Sequence, residues 1–284
     1  MFDTKVHNLD VLLEAYKQSK IEKRGLLTIM NHTSVLDEPL CWGILPFDYS
    51  FYPHRMRWTL GAENICFTNK FLARFFSLGQ VLSTKRFGAG PFQGSVDAGI
   101  SLLSRGEVKK LPEWVHTFPE SIVHQPIMPH QNTLRYFKWG VSRMILEPDN
   151  PPIIVPIFTR GLEHAMPEGR NSFIPASIQH RVEFNVGKPM DPSVVQQFRQ
   201  EWKQLVEDDP KATASDDLTD NLKFGEKAQK LRSQVAEATR EAMERNARSF
   251  FTDLPPDQDR FKLPSFWADP NRDVAVRKKP EETK

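Results

Sequence analysis

Residues 26–39 read Leu-Leu-Thr-Ile-Met-Asn-His-Thr-Ser-Val-Leu-Asp-Glu-Pro. The apolar run 26–30 predicts a short buried strand, and polar residues begin just before His32. A histidine at the carboxyl end of a buried strand is placed to face the crevice in which open α/β sheets bind their ligands. This stretch therefore predicts an α/β sheet with His32 at its functional edge.

His32 and Asp37 have the residue types of a general base and its orienting carboxylate. A neutral histidine accepts a proton from a hydroxyl near pH 7, and a carboxylate on its other nitrogen stabilises the imidazolium that forms. On a regular helix the two side chains would diverge by about 140°. They meet only if the chain turns between them, which Thr33, Ser34 and Pro39 favour. The spacing alone leaves an accidental pair open as the alternative.

The composition limits the class of protein. The 284 residues carry a net charge of +2 and contain only two cysteines, Cys41 and Cys66. A near-neutral chain gives no indication of a nucleic-acid partner, and two cysteines form neither a disulfide framework nor a metal-binding pattern. The sequence contains no apolar run of 18 residues or more and no signal peptide. We expect a globular chain that is soluble or peripheral to a membrane.

Strand and helix patterns alternate up to about residue 190. Further strands are predicted near 58–62, 114–118, 151–158 and 181–187, with helices over 6–20, 96–103 and 134–146. This alternation predicts a mixed, mainly parallel sheet flanked by helices. We therefore assign residues 1–190 to an α/β catalytic domain. A helical C-terminal extension follows over 191–250, with an acidic insertion near 207–220, and residues 251–284 are expected to be an extended tail.

Residues 65–82 are predicted to be one helix with a strongly apolar surface. Phe71, Phe75 and Phe76 lie among the cationic residues Lys70 and Arg74. A helix of this kind can lie in a membrane interface, but an aromatic stripe can equally face a protein core. Both interpretations stay open on the sequence.

Two loops carry further candidate site residues. Lys85 and Arg86 precede a glycine-rich loop that includes Gly90, and such a loop can bind a phosphate; a solvated turn is the alternative. Glu120 follows the strand near 114–118, where it could accept a hydrogen bond from a hydroxyl or pair with Lys85 or Arg86. His124 and His130 show no spacing that suggests ligands, and we expect neither to take part.

These blocks, in this order, resemble the glycerolipid acyltransferases. Asn31–Asp37 is similar to their His-x4-Asp block, Phe118-Pro119-Glu120 to their Phe-Pro-Glu-Gly block, and 154–157 to their later hydrophobic-Pro block. The strings at 61–63, 114–120 and 135–141 are closest to the mitochondrial phospholipid–lysophospholipid transacylases of that superfamily. The resemblance covers about residues 5–190. It departs at Ser121, where the family has glycine, and at the glycine-rich block, which lacks a clear acidic residue.

The resemblance implies a chemistry for the matched residues. His32 would be the general base, Asp37 its orienting partner, and the substrate-binding residues would be Glu120, Lys85, Arg86, Gly90 and Pro119. The substrates would be a phospholipid and a lysophospholipid, such as phosphatidylcholine and monolysocardiolipin, with cardiolipin as the product. No metal or cofactor is implied. The rivals are an acyltransferase that depends on acyl-CoA and a non-catalytic module that binds lipid surfaces.

The same resemblance implies a place in the cell. Phe71, Arg74, Phe75 and Phe76 would contact a membrane as part of a peripheral or monotopic protein. The membrane would be the inner or outer mitochondrial membrane, on the side of the intermembrane space. Because the N-terminal hydrophobic segment of that group has no counterpart here, we expect a shortened form. The acidic insertion and the long tail would fit a fungal relative. A homo-oligomer is left open.

Overall fold

The computed structural model describes residues 3–86, 88–104, 112–125, 133–167, 180–212 and 217–271. It contains one seven-stranded sheet of order β1-β7-β6-β2-β5-β3-β4. The strands are β1 (Asp3–His7), β2 (Leu26–Met30), β3 (Trp58–Ala62), β4 (Val81–Thr84), β5 (Trp114–Thr117), β6 (Ile153–Arg160) and β7 (Arg181–Val186). Strands β6, β2, β5, β3 and β4 run parallel to one another, while β7 is antiparallel to β6. The predicted mixed, mainly parallel sheet is confirmed.

Helices cover both faces of the sheet. They are α1 (Leu9–Ile21), α2 (Asp37–Cys41), α3 (Glu63–Cys66), α4 (Lys70–Leu78), α5 (Gly94–Ser104), α6 (Trp139–Leu146), α7 (Leu162–Ala165), α8 (Pro192–Glu207), α9 (Asp220–Phe224), α10 (Glu226–Phe250) and α11 (Pro264–Ala268). Short 3₁₀ helices lie at Trp42–Ile44, Phe47–Phe51, Pro53–Arg55 and Asp259–Lys262. Leu26 and Met30 of β2 pack with α1 and α2 on one face, which we call the front. Leu27 and Ile29 pack with α5, α6, α8 and α10 on the back.

The predicted helix over 65–82 is wrong in its extent. The segment divides into α3, α4 and the strand β4. The side chain of Asn69 caps α4 by accepting the N–H of Leu72 at 2.9 Å, and Gly79 ends the helix. Residues 81–84 then pair with β3 as the edge strand. Strand β1, at the opposite edge, was likewise not predicted, because an edge strand has only one neighbour and carries a weak apolar pattern.

The C-terminal extension packs directly on the back of the sheet. Leu231, Val235 and Met243 of α10 belong to the same core cluster as Ile29 of β2. Residues 251–271, expected to be an extended tail, instead bury Phe251, Phe261 and Trp267. Residues 272–284 lie outside the described part of the chain. In the described ranges, no helix has the length and apolar character needed to cross a membrane.

A hydrogen bond between Asp209 and Thr219 joins the two ends of the acidic segment near 207–220. The Asp209 carboxylate accepts the hydroxyl of Thr219 and, at 3.0 Å, the N–H of Lys211. Residues 213–216, in the middle of the predicted insertion, are not among the described residues.

Candidate active site

The contact expected between His32 and Asp37 is present. Nδ1 of His32 lies 2.9 Å from Oδ2 of Asp37, at the carboxyl end of the central strand β2. The Asp37 side chain is fully buried, while the imidazole of His32 is partly exposed, at 20%. Because Asp37 occupies Nδ1, Nε2 is the nitrogen that remains for a substrate hydroxyl.

A tight turn brings the two side chains together. The chain leaves β2, turns at residues 33–36 and enters α2 at Asp37. Oδ2 of Asp37 accepts the backbone N–H groups of Thr33 at 2.6 Å and Ser34 at 2.8 Å. Backbone N–H groups therefore replace water as the hydrogen-bond donors to this buried carboxylate, which lies directly against the imidazole.

Glu120 holds the backbone of the same loop. The residue is buried, and its Oε1 accepts the N–H of His32 at 3.0 Å while its Oε2 accepts the N–H of Arg135 at 2.9 Å. Burial raises the pKa of Glu120 to about 7, although the two N–H groups oppose that rise. In this structure Glu120 acts as a brace between two backbone segments, because each of its carboxylate oxygens accepts one backbone N–H. The predicted contact with a substrate hydroxyl stays a prediction.

The residues around Glu120 complete that brace. The buried Pro119 accepts the N–H of Lys138 through its carbonyl at 2.9 Å, so it forms part of a backbone corner rather than an open binding surface. Ser121 has φ of +66°, the left-handed conformation that glycine adopts without strain. The serine that departs from the family pattern therefore keeps the backbone geometry of a glycine. His124, which we did not expect to take part, donates its backbone N–H to the carbonyl of His32 at 2.6 Å.

An aromatic cluster supports the imidazole from the front of the sheet. The ring of Phe118 stacks on that of His32 with centroids 4.3 Å apart, and His116 lies edge-on to Phe118 at 4.8 Å. His116 is fully buried, with its Nδ1 2.8 Å from the hydroxyl of Thr28. Burial lowers the pKa of His116 well below its usual range. Its ring therefore stays neutral and adds no charge beside His32.

A buried ion pair fixes the first turn of α2. Glu38 accepts hydrogen bonds from Arg57, from Nε1 of Trp42 at 3.1 Å and from the hydroxyl of Thr59 at 3.3 Å. The guanidinium of Arg57 also lies 5.1 Å from the ring centre of Trp42. Since Glu38 follows Asp37 directly, its contacts with Trp42, Arg57 and Thr59 hold the Asp37 carboxylate in place.

Lys85 and Arg86 lie at the carboxyl end of the parallel strands, as His32 does. They follow β4, and three strand positions separate β4 from β2, or roughly 15 Å at the usual spacing. Arg86 donates to Oδ1 of Asn64 at 3.2 Å. Gly90 has φ of +64° in open space, so the turn rather than crowding favours glycine there. The structure thus places the predicted phosphate ligands at the same end of the parallel strands as the His32–Asp37 pair, but apart from it.

Comparison with known proteins agrees with this geometry. The family model described as "Acyltransferase" matches residues 4–160. Tafazzin of Saccharomyces cerevisiae is 42% identical to this chain, over 94% of the chain and 77% of the relative. The chain belongs to the acyltransferase family, as a member of its tafazzin group. The protein of Dictyostelium discoideum named "Taffazin" is 40% identical over 56% of this chain and 53% of its own length. N-acylphosphatidylethanolamine synthase of Arabidopsis thaliana is 35% identical, over 66% and 62%.

This acyltransferase exposes the apolar side of α4. The side chains of Phe71, Phe75 and Leu78 are exposed to 78%, 62% and 77%. Arg74 is exposed between them, while Phe76 is half-buried, with its ring centre 6.4 Å from that of Phe67. Of the two interpretations of this segment, the core-facing helix is excluded for Phe71 and Phe75.

Several residues of this acyltransferase site were not predicted. The side chain of Asn31 bridges two strands, since its amide donates to the carbonyl of Thr159 and its Oδ1 accepts the N–H of the same residue, both at 2.8 Å. The sequence analysis also gave no site role to Arg57, which pairs with Glu38, or to Phe118, which stacks on the ring of His32. The available signal for Asn31 was its position, because a buried amide at a strand end needs backbone partners.

Proposed function

We propose that this acyltransferase is a phospholipid–lysophospholipid transacylase that works without coenzyme A and uses His32 as its general base. The observation that carries the proposal is the 2.9 Å contact between Nδ1 of His32 and the buried carboxylate of Asp37. Membership of the tafazzin group supplies the class of reaction, and the pair supplies its base.

The chemistry needs no acyl-enzyme. Nε2 of His32 takes the proton from a free glycerol hydroxyl of the lysophospholipid, and that oxygen attacks the ester carbonyl of the donor phospholipid. Asp37 stabilises the imidazolium that forms. As the tetrahedral intermediate collapses, the imidazolium gives its proton to the departing glycerol oxygen of the donor. One ester is exchanged for another, so no activated thioester is required.

Other residues bind the lipids in this proposal. Lys85 and Arg86 pair with a phosphate of the substrate at the edge of the crevice. Phe71 and Phe75 insert into the membrane interface, with Arg74 at the level of the anionic headgroups. Glu120 acts through the backbone of His32. We assign the protein to a mitochondrial membrane facing the intermembrane space, with phosphatidylcholine as donor and monolysocardiolipin as acceptor.

Acyl transfer between defined lipids tests this function. Bilayers containing phosphatidylcholine with a labelled acyl chain and unlabelled monolysocardiolipin are incubated with the protein in the absence of coenzyme A. We expect label in cardiolipin with the wild-type chain. The variants His32→Ala and Asp37→Asn should lose about 10²- to 10⁴-fold in rate, the range typical of general base catalysis.

Each alternative gives a distinct result in the same assay. Transfer that begins only after acyl-CoA is added would reassign the protein to the acyl-CoA-dependent acyltransferases. Equal transfer by His32→Ala would exclude the proposed base. Vesicle binding without transfer from either donor would indicate a lipid-binding module. The name of the Arabidopsis relative adds one more acceptor, so label on the amine of phosphatidylethanolamine is measured as well.

A further inference from the structure

The loop that carries Lys85 and Arg86 is closed by one side chain. Oε1 of Gln93 accepts the N–H of Lys85 at 2.9 Å. The Gln93 amide donates to the carbonyl of Lys85 at 3.2 Å and to that of Gly90 at 2.7 Å. The position of Lys85 therefore depends on where Gln93 is held. Gln93 lies directly before α5, where its carbonyl accepts the backbone N–H groups of Val96 and Asp97 and its Oε1 accepts the hydroxyl of Ser95 at 3.3 Å.

Its neighbour Phe92 is held from outside the loop. The guanidinium of Arg143 on α6 lies 4.9 Å from the centre of the Phe92 ring, and Nη1 of Arg143 donates to the carbonyl of Pro91 at 2.9 Å. The guanidinium of Arg232 on α10 lies 5.0 Å from the same ring centre, and Phe224 of α9 packs edge-on to it at 5.5 Å. Three helices thus converge on one aromatic ring.

Arg232 is an unusual residue to bury. It is fully buried, and among the described residues its hydrogen bonds go to the carbonyls of Leu222 and Lys223 rather than to a carboxylate. Its guanidinium also lies 5.2 Å from the ring centre of Trp202. Burial lowers its pKa to about 10, so the group remains charged at neutral pH. A buried cation of this kind gains attraction from the two aromatic faces of Phe92 and Trp202.

We propose that the C-terminal helices position the substrate-binding loop through Phe92. Phe224 of α9 and Arg232 of α10, together with Arg143 of α6, hold the ring of Phe92. Phe92 in turn positions Lys85 and Arg86. This inference rests on the proposed role of Lys85 and Arg86 in binding a substrate phosphate. The matched family model ends at residue 160, so Arg232 and Phe224 lie beyond it. A loop of the matched region is therefore held by a segment that follows it in the chain.

Kinetics in mixed vesicles test this positioning. The acceptor is lysophosphatidylcholine with a labelled head group, at varied mole fraction in unlabelled phosphatidylcholine, and the formation of labelled phosphatidylcholine is measured without coenzyme A. We expect Phe92→Ala, Phe224→Ala and Arg232→Met to raise the apparent KM for the acceptor about 3- to 30-fold. The kcat should stay within about twofold, because the His32–Asp37 pair does not touch this loop. The double variant Phe92→Ala/Arg232→Met should raise KM no further than Phe92→Ala alone, since both act through one contact.

Arg199 provides a matched control. It is also a buried arginine of the extension, and its guanidinium donates to the carbonyls of Ile145, Leu146, Pro148 and Asp149 at the end of α6. Arg199→Met removes a comparable buried cation without touching the loop. A lower thermal stability with an unchanged KM is expected for this variant. If Arg199→Met raises KM as much as Arg232→Met does, the effect is general destabilisation and the proposal is wrong.

The proposed function and this inference can fail separately. If the variant Lys85→Ala/Arg86→Ala leaves KM unchanged, the phosphate-binding role of the loop is wrong, and the inference that depends on it fails too. If that variant raises KM while Phe92→Ala and Phe224→Ala do not, the loop binds substrate but is not positioned by the extension. Phe224 is an exposed side chain, so Phe224→Ala decides the question even if Arg232→Met does not fold.

Discussion

Single carboxylate residues in this site bind backbone N–H groups of the loops around His32. Asp37 binds two backbone N–H groups as well as the imidazole, so the group that orients the base also shapes the turn. Glu120 reaches the backbone of His32 from a strand end 88 residues away. The backbone of His32 is therefore held at both its N–H and its carbonyl, since the backbone N–H of His124 donates to that carbonyl. Loss of either brace should misplace Nε2 without removing it.

Glu120 should make the stability of the fold depend on pH. Its pKa is raised to about 7 in the folded chain, so the folded state holds a proton that the unfolded chain loses near pH 4.5. The folded state binds more protons between these values, and the free energy of unfolding therefore falls as the pH rises from about 4.5 to 7. The full difference between the two pKa values of Glu120 corresponds to about 3 kcal/mol of unfolding free energy.

Urea unfolding across this pH range measures the effect. We expect Glu120→Gln to remove most of the slope contributed by this residue, because the amide does not titrate. The same variant should also lose transfer activity, since its NH₂ group cannot accept the second backbone N–H. A slope that persists unchanged in Glu120→Gln would assign the pH dependence to another group.

At the scale of elements, α4 shows how a strongly apolar helix can remain at the surface. The helix packs beside β4, yet Phe71, Phe75 and Leu78 point to solvent. Large exposed apolar side chains that cluster on one element indicate an interaction surface. Helix α4 lies in the connection between the parallel strands β3 and β4, next to the edge of the sheet.

Membrane binding should depend on this exposed face. We expect Phe71→Ser/Phe75→Ser to reduce binding to phospholipid vesicles at least tenfold, as each phenylalanine loses about 1.5–3 kcal/mol of apolar burial. Thermal stability should not fall, because neither ring is in the core. Co-sedimentation with sucrose-loaded vesicles measures the binding.

Ile21 is the control for that experiment. It is 79% exposed at the last residue of α1, outside the α4 surface. Ile21→Ser should bind vesicles like the wild type. Equal losses in both variants, or unfolding of the α4 variant, would remove α4 from the membrane contact.

At the scale of the whole molecule, the sheet and the C-terminal extension share one hydrophobic core in the described part of the chain. The core cluster on the back of the sheet contains residues of β2, β5 and β6 together with residues of α8 and α10. Buried Met243 of α10 lies in this cluster, far beyond the matched family region that ends at residue 160. A separate catalytic domain over 1–190 would leave this apolar surface uncovered.

Met243→Ala should therefore destabilise the entire protein. Removing a buried methionine side chain costs about 2–5 kcal/mol. We expect one unfolding transition in urea, with tryptophan fluorescence, circular dichroism and transfer activity lost together. Arg245→Ala, an exposed substitution on the same helix, should stay within about 0.5 kcal/mol of the wild type. Separate transitions for activity and for helix content would show two independent units.

The sequence alone was sufficient for the local parts of this protein. The buried strand β2 and its polar end were predicted from a dozen residues, because a short apolar run followed by polar residues is a local pattern. The same stretch offered His32 and Asp37 as a pair that meets only if the chain turns between them, and the structure shows that turn. The order of apolar runs likewise predicted the mainly parallel sheet. Only the tertiary structure decided what Glu120 contacts, that 81–84 form a strand, and that Arg232 lies on Phe92. Each of these depends on a partner distant along the chain, and periodicity within a segment carries no information about such a partner.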